Sequence, residues 1–138
     1  MNRYPTLDAL ESADPARTVR DLKPEELDVL ADEIRRRLIE HCSMRSAHFA
    51  SNLGVVELTI ALHHVFDPVR DAIVFDVGHQ VYPHKMLTGR FRNFQSVRSA
   101  GGLSGYPDPN ESPADVFRSG HASTAISTAL GLDRKSVV

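Results

Sequence analysis

The densest chemistry in the chain lies in Asp76-Val77-Gly78-His79-Gln80-Val81-Tyr82-Pro83-His84-Lys85, directly behind the apolar run Ala72-Ile73-Val74-Phe75. Ten residues carry an aspartate, a glycine, two histidines and a lysine. The apolar run reads as a buried strand. A strand that passes through a glycine into a short helix leaves free backbone N–H groups at the helix start, and these favour an anion. His79 falls at that start. His84 and Lys85 follow about one turn later, which predicts that all three line one rim. Two further histidines share the pattern of a small-residue break beside a helix start: His48 and His121. If the elements form an α/β layer, loops at one sheet edge bring the three together, and that edge is where open α/β folds bind ligands. The alternative is three unrelated capping or surface histidines.

Other chemistries find less support. Asp76, His79 and His84 are spaced unlike any helical zinc pair, and no cysteine pair accompanies them, so no metal ligand is assigned. Ser104, in Gly102-Leu103-Ser104-Gly105, misses the nucleophile-elbow pattern by one residue. Cys42 adjoins His41, but neighbours on a helix do not face each other, and Cys42 reads as a small core residue. His63 and His64, side by side on a helix, point apart, toward partial burial or solvent. Neither common glycine-rich nucleotide signature is present.

The elements that must position these groups follow in order. Residues 1–22 read as an irregular arm over the surface, with burial from Tyr4, Leu7 and Leu10. Residues 23–138 read as one further unit. Lys23-Pro24-Glu25-Glu26 opens a helix, with proline and acids suited to its first turn. Leu27, Leu30, Ala31, Ile34 and Leu38 give it one apolar stripe. Arg35, Arg36 and Arg37 read as a solvated face near its positive-charge-favouring end. Ser43 to Gly54 breaks the period, and Ser51 or Asn52 can cap the next helix. That helix runs from Val55 to Val65, with Val55, Leu58, Leu62 and Val65 on one side, and Asp67-Pro68 ends it. Gly89 closes the short helix after the Asp76 stretch as a left-handed cap. Phe94 and Val97 allow a helical turn. Gly101 to Pro109 is a long loop, of a kind uncommon unless functional or disordered. A small-residue helix follows Gly120, able to lie close to a sheet or another helix, and Lys135 to Val138 looks like a strand beginning.

Composition sets the outer limits. The chain has 138 residues, 41% of them hydrophobic, enough for about one packed domain. A formal charge of −2 gives no reason to expect nucleic acid or an anionic membrane. One cysteine excludes an internal disulfide. No apolar run approaches the ~20 residues that span a bilayer, and the first twenty residues lack a signal core. The expectation is a cytoplasmic protein.

Four segments together resemble a known family. Ser46-Ala47-His48-Phe49-Ala50-Ser51-Asn52-Leu53-Gly54, Asp76 to Lys85 with Leu87-Thr88-Gly89-Arg90, Gly101 to Gly105, and Gly120-His121-Ala122-Ser123-Thr124 resemble, in order and spacing, the active-site segments of the 1-deoxy-D-xylulose-5-phosphate synthase family. This is a branch of the transketolase-like thiamine diphosphate enzymes. The resemblance implies an α/β fold: a partial amino-terminal thiamine-diphosphate-binding domain of transketolase-like type, helix-rich, with an incomplete parallel sheet. It implies condensation of pyruvate with glyceraldehyde 3-phosphate, with loss of carbon dioxide, in a homodimer using thiamine diphosphate and Mg2+. By motif match His79, Gly120, His121 and Ala122 would contact the cofactor, and His48 would face the reacting carbonyls. Ala47 stands where the family usually has glycine, and Ala122 where serine is common. The family's Gly-Asp-Gly magnesium motif is absent, so the chain resembles an amino-terminal fragment expected to be inactive alone. The competing expectation is a non-catalytic binding or decoy module that associates with the full-length enzyme.

Overall fold

The computed structural model describes residues 7, 10, 19–44 and 48–135. Tyr4, Ser46, Ala47 and the strand expected toward Val138 lie outside them. Helix α1 spans Pro24–Met44. Pro24 begins it, Glu25 and Glu26 occupy the first turn, and the Glu26 carboxylate accepts the Lys23 N–H at 2.8 Å. Its apolar stripe is buried as the spacing predicts: Leu30, Ala31, Ile34 and Leu38 are in the core, with Leu27 packed against it. The arginine run is less solvated than expected. Arg35 pairs with Glu57 of a later helix, and the Arg37 guanidinium lies over the Phe91 ring, 5.3 Å from its centroid. Only Arg36 is plainly exposed.

Where it is described the arm is buried at Leu7 and Leu10 as expected, but its backbone is helical rather than irregular. Leu7, Leu10, Val19 and Arg20 have helical backbone, and Leu7, Leu10 and Val19 are buried in the same cluster as the α1 stripe. Glu33 of α1 accepts the Leu7 N–H at 3.0 Å.

Helices α2, Phe49–Leu53, and α3, Val56–Val65, follow. The buried face of α3 is Val56, Thr59, Ile60 and His63. The expected stripe is wrong by one position: Leu58 is 60% exposed and Val65 64%. Thr59 enters the interior because its hydroxyl donates back to the Val55 carbonyl at 2.7 Å, and His63 because its ring bonds inside the core. Asp67 ends the helix as expected, its carboxylate accepting the N–H groups of Val69 and Arg70.

Ala72 to Phe75 is not a strand; no strand forms among the described residues. Strand backbone needs a neighbour to receive its N–H and C=O groups, and no described segment lies alongside. The run instead edges an open groove of about 560 Å³ lined by Leu62, Phe66, Arg70, Asp71 and Ala72 to Val74.

Helix α4, Tyr82–Lys85, carries Pro83 in its first turn and is wholly buried. It runs into a wider turn, Met86–Arg90, that Gly89 closes at φ 77°, the left-handed cap the sequence predicts. A 3-10 turn spans Phe94–Ser96, with Phe94 and Val97 buried. Gly101 to Pro109 is irregular throughout. Helix α5, Ala125–Lys135, does not lie close against a partner: Ile126 is 86% exposed, and Ala129, Leu130 and Gly131 face solvent. At the centre, Tyr82 and Phe94 meet edge to face at 5.6 Å, and His41 tilts on Phe94 at 4.9 Å. Cys42, next to it, is half-buried, and burial pushes its thiol up, away from reactivity. No described helix is long and apolar enough to cross a membrane.

Candidate active site

The site begins with the short break before α2. His48 precedes that helix in non-helical backbone and sits half-buried. Asn52, one turn on, is fully buried and is the hinge of the arrangement. Its amide nitrogen donates to the His48 carbonyl at 2.6 Å and to the His79 carbonyl at 2.9 Å. Its amide oxygen accepts the Tyr82 N–H at 2.8 Å. Asn52 is therefore not the cap of the following helix; Val55 occupies that position without a side-chain bond. One side chain joins two loops far apart in sequence, and the His48 and His79 rings meet with centroids 5.0 Å apart. Of the N–H groups at the helix start beyond His79, the one from Tyr82 is taken by Asn52.

The His79 turn is sharply folded. Val77 and Gly78 have φ of 62° and 87°, and the Gly78 N–H bonds to the Asp76 carbonyl at 2.7 Å. A Cβ on Gly78 would lie 2.4 Å from the Ser119 hydroxyl and 2.5 Å from Pro107, so glycine is required for backbone and space alike. Ser119 also donates to the Val77 carbonyl at 2.9 Å, and the Asp76 carboxylate accepts the Thr124 N–H at 3.2 Å. The Gly120-His121-Ala122 turn is thus tethered to the His79 turn at both ends. His121 is itself exposed, and its ring makes no ring contact with the other two. Nothing lies within 4 Å of where a Gly120 side chain would begin. Ser123, just beyond, has φ 64°, and Arg98, across from His48, has φ 61°.

Burial, the His79 ring and the Arg98 guanidinium together lower the His48 pKa, so its imidazole is neutral at neutral pH. A neutral ring offers one donor and one acceptor nitrogen. Tyr106 of the glycine-rich loop approaches the same ring edge-on at 6.3 Å.

His84 and Lys85 do not share this rim. Both are 0% exposed and face inward. His84 Nδ1 meets His63 Nε2 at 2.9 Å, and His84 Nε2 meets the Asp115 carboxylate at 2.9 Å. Lys85 pairs with Glu111, and Arg90 grips Asp115 with two bonds of 2.6 and 2.8 Å. No local pattern marks this network: its acids, Glu111 and Asp115, follow a proline- and glycine-rich loop and its bases lie beside a histidine motif. His63, expected at least partly in solvent, is entirely inside; His64 is half-buried and bonds the Val19 carbonyl. Among the described residues no group of three or more histidine, cysteine, aspartate or glutamate side chains is arranged to hold a metal ion.

Comparison with known proteins shows the family of the chain. The family described as 1-deoxy-D-xylulose-5-phosphate synthase matches residues 10–138. The chain belongs to that family. It is 52% identical over 128 residues to the 1-deoxy-D-xylulose-5-phosphate synthase of Chlorobium luteolum, covering 93% of this chain and 20% of the relative. It is 51% identical over 126 residues to that of Macrococcus caseolyticus (91% and 20%) and 55% over 114 residues to that of Syntrophotalea carbinolica (83% and 18%). The chain thus spans about a fifth of the length of the curated relatives it matches.

Within the synthase-family segment Asn52 is the most exacting joint. Asn52→Leu should lower stability by about 1–3 kcal/mol for each buried polar group left without a partner. The nuclear Overhauser contact between the His48 and His79 rings should vanish with it. Survival of that contact in the variant would show that other packing holds the rings together.

Proposed function

We propose that the polypeptide to which this segment belongs is a thiamine-diphosphate- and Mg2+-dependent 1-deoxy-D-xylulose-5-phosphate synthase that joins pyruvate to glyceraldehyde 3-phosphate and releases carbon dioxide. The observation that carries the reading is the pairing of the His48 and His79 rings beside the tethered Gly120-His121-Ala122 turn. In this reading residues 23–138 form the incomplete diphosphate-side domain and 1–22 an arm across it. Ala72 to Phe75 becomes a strand of a parallel sheet once strands from elsewhere lie beside it. The assembled protein is a cytoplasmic homodimer, and association would cover apolar surface such as Leu58 and Ile126.

The residues present suit one side of a thiamine diphosphate site. His79, Gly120, His121 and Ala122 would hold the cofactor, with open space at Gly120. Thiamine diphosphate, when bound, supplies the carbanion chemistry that no side chain here can. His48 is neutral and half-buried, so it can donate a hydrogen bond to a carbonyl oxygen that gains charge and pass a proton to or from it. His79 and Arg98 beside it disfavour a second positive charge, which keeps that proton mobile. Among the described residues no group of three or more histidine, cysteine, aspartate or glutamate side chains could hold a metal ion, and no residue here is assigned to magnesium.

The test is a chimera in which residues 10–132 replace the matching region of the Chlorobium luteolum relative. The chimera should form 1-deoxyxylulose 5-phosphate from the two substrates. His48→Ala in it should lower kcat/KM by about 10²- to 10⁴-fold. A folded but inactive chimera would end the proposal. Mixed oligomers between the 138-residue chain and the intact relative would then favour a decoy module.

A further inference from the structure

Residues 104–119, from the second half of the glycine-rich loop to just before His121, form a strap across the His79 turn. Its outer edge rests on that turn: Pro107 fills the space beside Gly78, and Ser119 bonds to Val77. Its inner edge is held from below by the buried network. The Asp115 carboxylate accepts the Asp108 N–H at 2.8 Å, and the Glu111 carboxylate accepts the Ser104 N–H at 2.5 Å. Asp115 and Glu111 are in turn fixed by His84, Arg90 and Lys85, which belong to α4 and the turn after it. Tyr106 lies between these two clamped amides and faces His48.

We propose that His84 is a positioning residue: it is the middle of a buried His63–His84–Asp115 chain that fastens this strap and so sets Tyr106 against His48. The proposal rests on reading the His48–His79 rim as the active site. Burial favours the neutral form of His84, and with that ring neutral the hydrogen bonds fix the direction of the chain. Asp115, gripped by Arg90, is ionised and accepts, so His84 carries its proton on Nε2. His84 Nδ1 is then an acceptor, and His63 must donate from Nε2. His63 Nδ1 is left bare, and it has no hydrogen-bond partner among the described residues. A chain with one allowed arrangement of protons cannot slip, which suits a part that positions another.

Two variants of the 138-residue chain test this. His84→Phe fills the volume but removes both bonds, whereas His84→Gln keeps a donor to Asp115. In His84→Phe the Asp108 and Ser104 amides should exchange with deuterium about tenfold faster or more, while the α1 amides from Leu30 to Leu38 keep their protection. The His48 imidazole, losing cover from Tyr106 with His79 and Arg98 still beside it, should titrate closer to its ordinary value. His84→Gln should restore both readings. Equal loss of protection in the strap and in α1, or an unmoved His48 titration, would overturn the proposal. If the phenylalanine variant does not fold, nitrogen-15 spectra of the unaltered chain decide: a proton on His63 Nδ1 or on His84 Nδ1 overturns it. None of these readings involves the cofactor. A dead chimera with a normal strap would sink only the active-site reading.

Discussion

Arg90→Met should remove about 3–5 kcal/mol of stability, because it leaves the Asp115 carboxylate buried without its cation. Asp115 is 3% exposed and receives both Arg90 bonds. The Arg90 guanidinium also donates to the Thr88 hydroxyl at 2.6 Å and reaches Glu111 at 3.4 Å, so one substitution loosens the wide turn and the strap together. Domains of this size have total stabilities of about 5–15 kcal/mol, so the loss should be plain in a urea titration followed by circular dichroism. Adding Asp115→Leu to Arg90→Met should recover much of it, since the uncompensated charge is then gone. A single-variant loss under about 1 kcal/mol would mean that Asp115 finds other donors.

Acid should unfold the chain earlier than its carboxylates alone would require. Burial, reinforced by His84 and Arg90, pulls the His63 pKa down from 6.5 to about 3. Burial also lowers His84, against the opposing pull of Asp115. Both folded-state values lie below the unfolded one, so between pH 6.5 and about 3 the unfolded chain binds protons that the folded chain refuses. Stability is therefore full above about pH 6.5 and falls as pH drops, by up to about 1.4 kcal/mol per pH unit for each histidine. Burial works to raise the Asp115 carboxyl, but bonds from His84 and Arg90 outweigh it and hold it well below the usual carboxylate range. Its contribution is present above the ordinary value of 3.8 and fades only below it. Urea midpoints at pH 7, 6 and 5 should fall steadily, and His63→Phe should flatten that fall. Equal midpoints at pH 7 and 5 would contradict a neutral buried pair.

Local pattern carried the reading of α1, of the Asp67-Pro68 stop and of the Gly89 cap, because each depends on residues within one or two turns. It failed where a partner far along the chain decides. Ala72 to Phe75 has a strand's composition, yet strands exist only as pairs. The α3 face departs from its apolar spacing because two polar residues, Thr59 and His63, find hydrogen-bond partners inside the core while Leu58 stays outside. Asn52 looked like a cap, and its partners His79 and Tyr82 lie in another loop. Of the rim, the meeting of His48 and His79 was anticipated; the inward turn of His84 and Lys85 was not. A histidine beside a lysine reads as surface chemistry until the acids beneath them are known.

Val77, Arg98 and Ser123 each hold a backbone conformation that residues with side chains rarely adopt. One adjoins the His79 turn, one faces His48 and one follows the His121 turn. Such joints cost of order 1–3 kcal/mol apiece, so selection of random variants for heat tolerance alone would be drawn to these three positions, with glycine or asparagine as the easy replacements. Hardening this segment for industrial use would therefore reshape the His48–His79 rim before it touched the core.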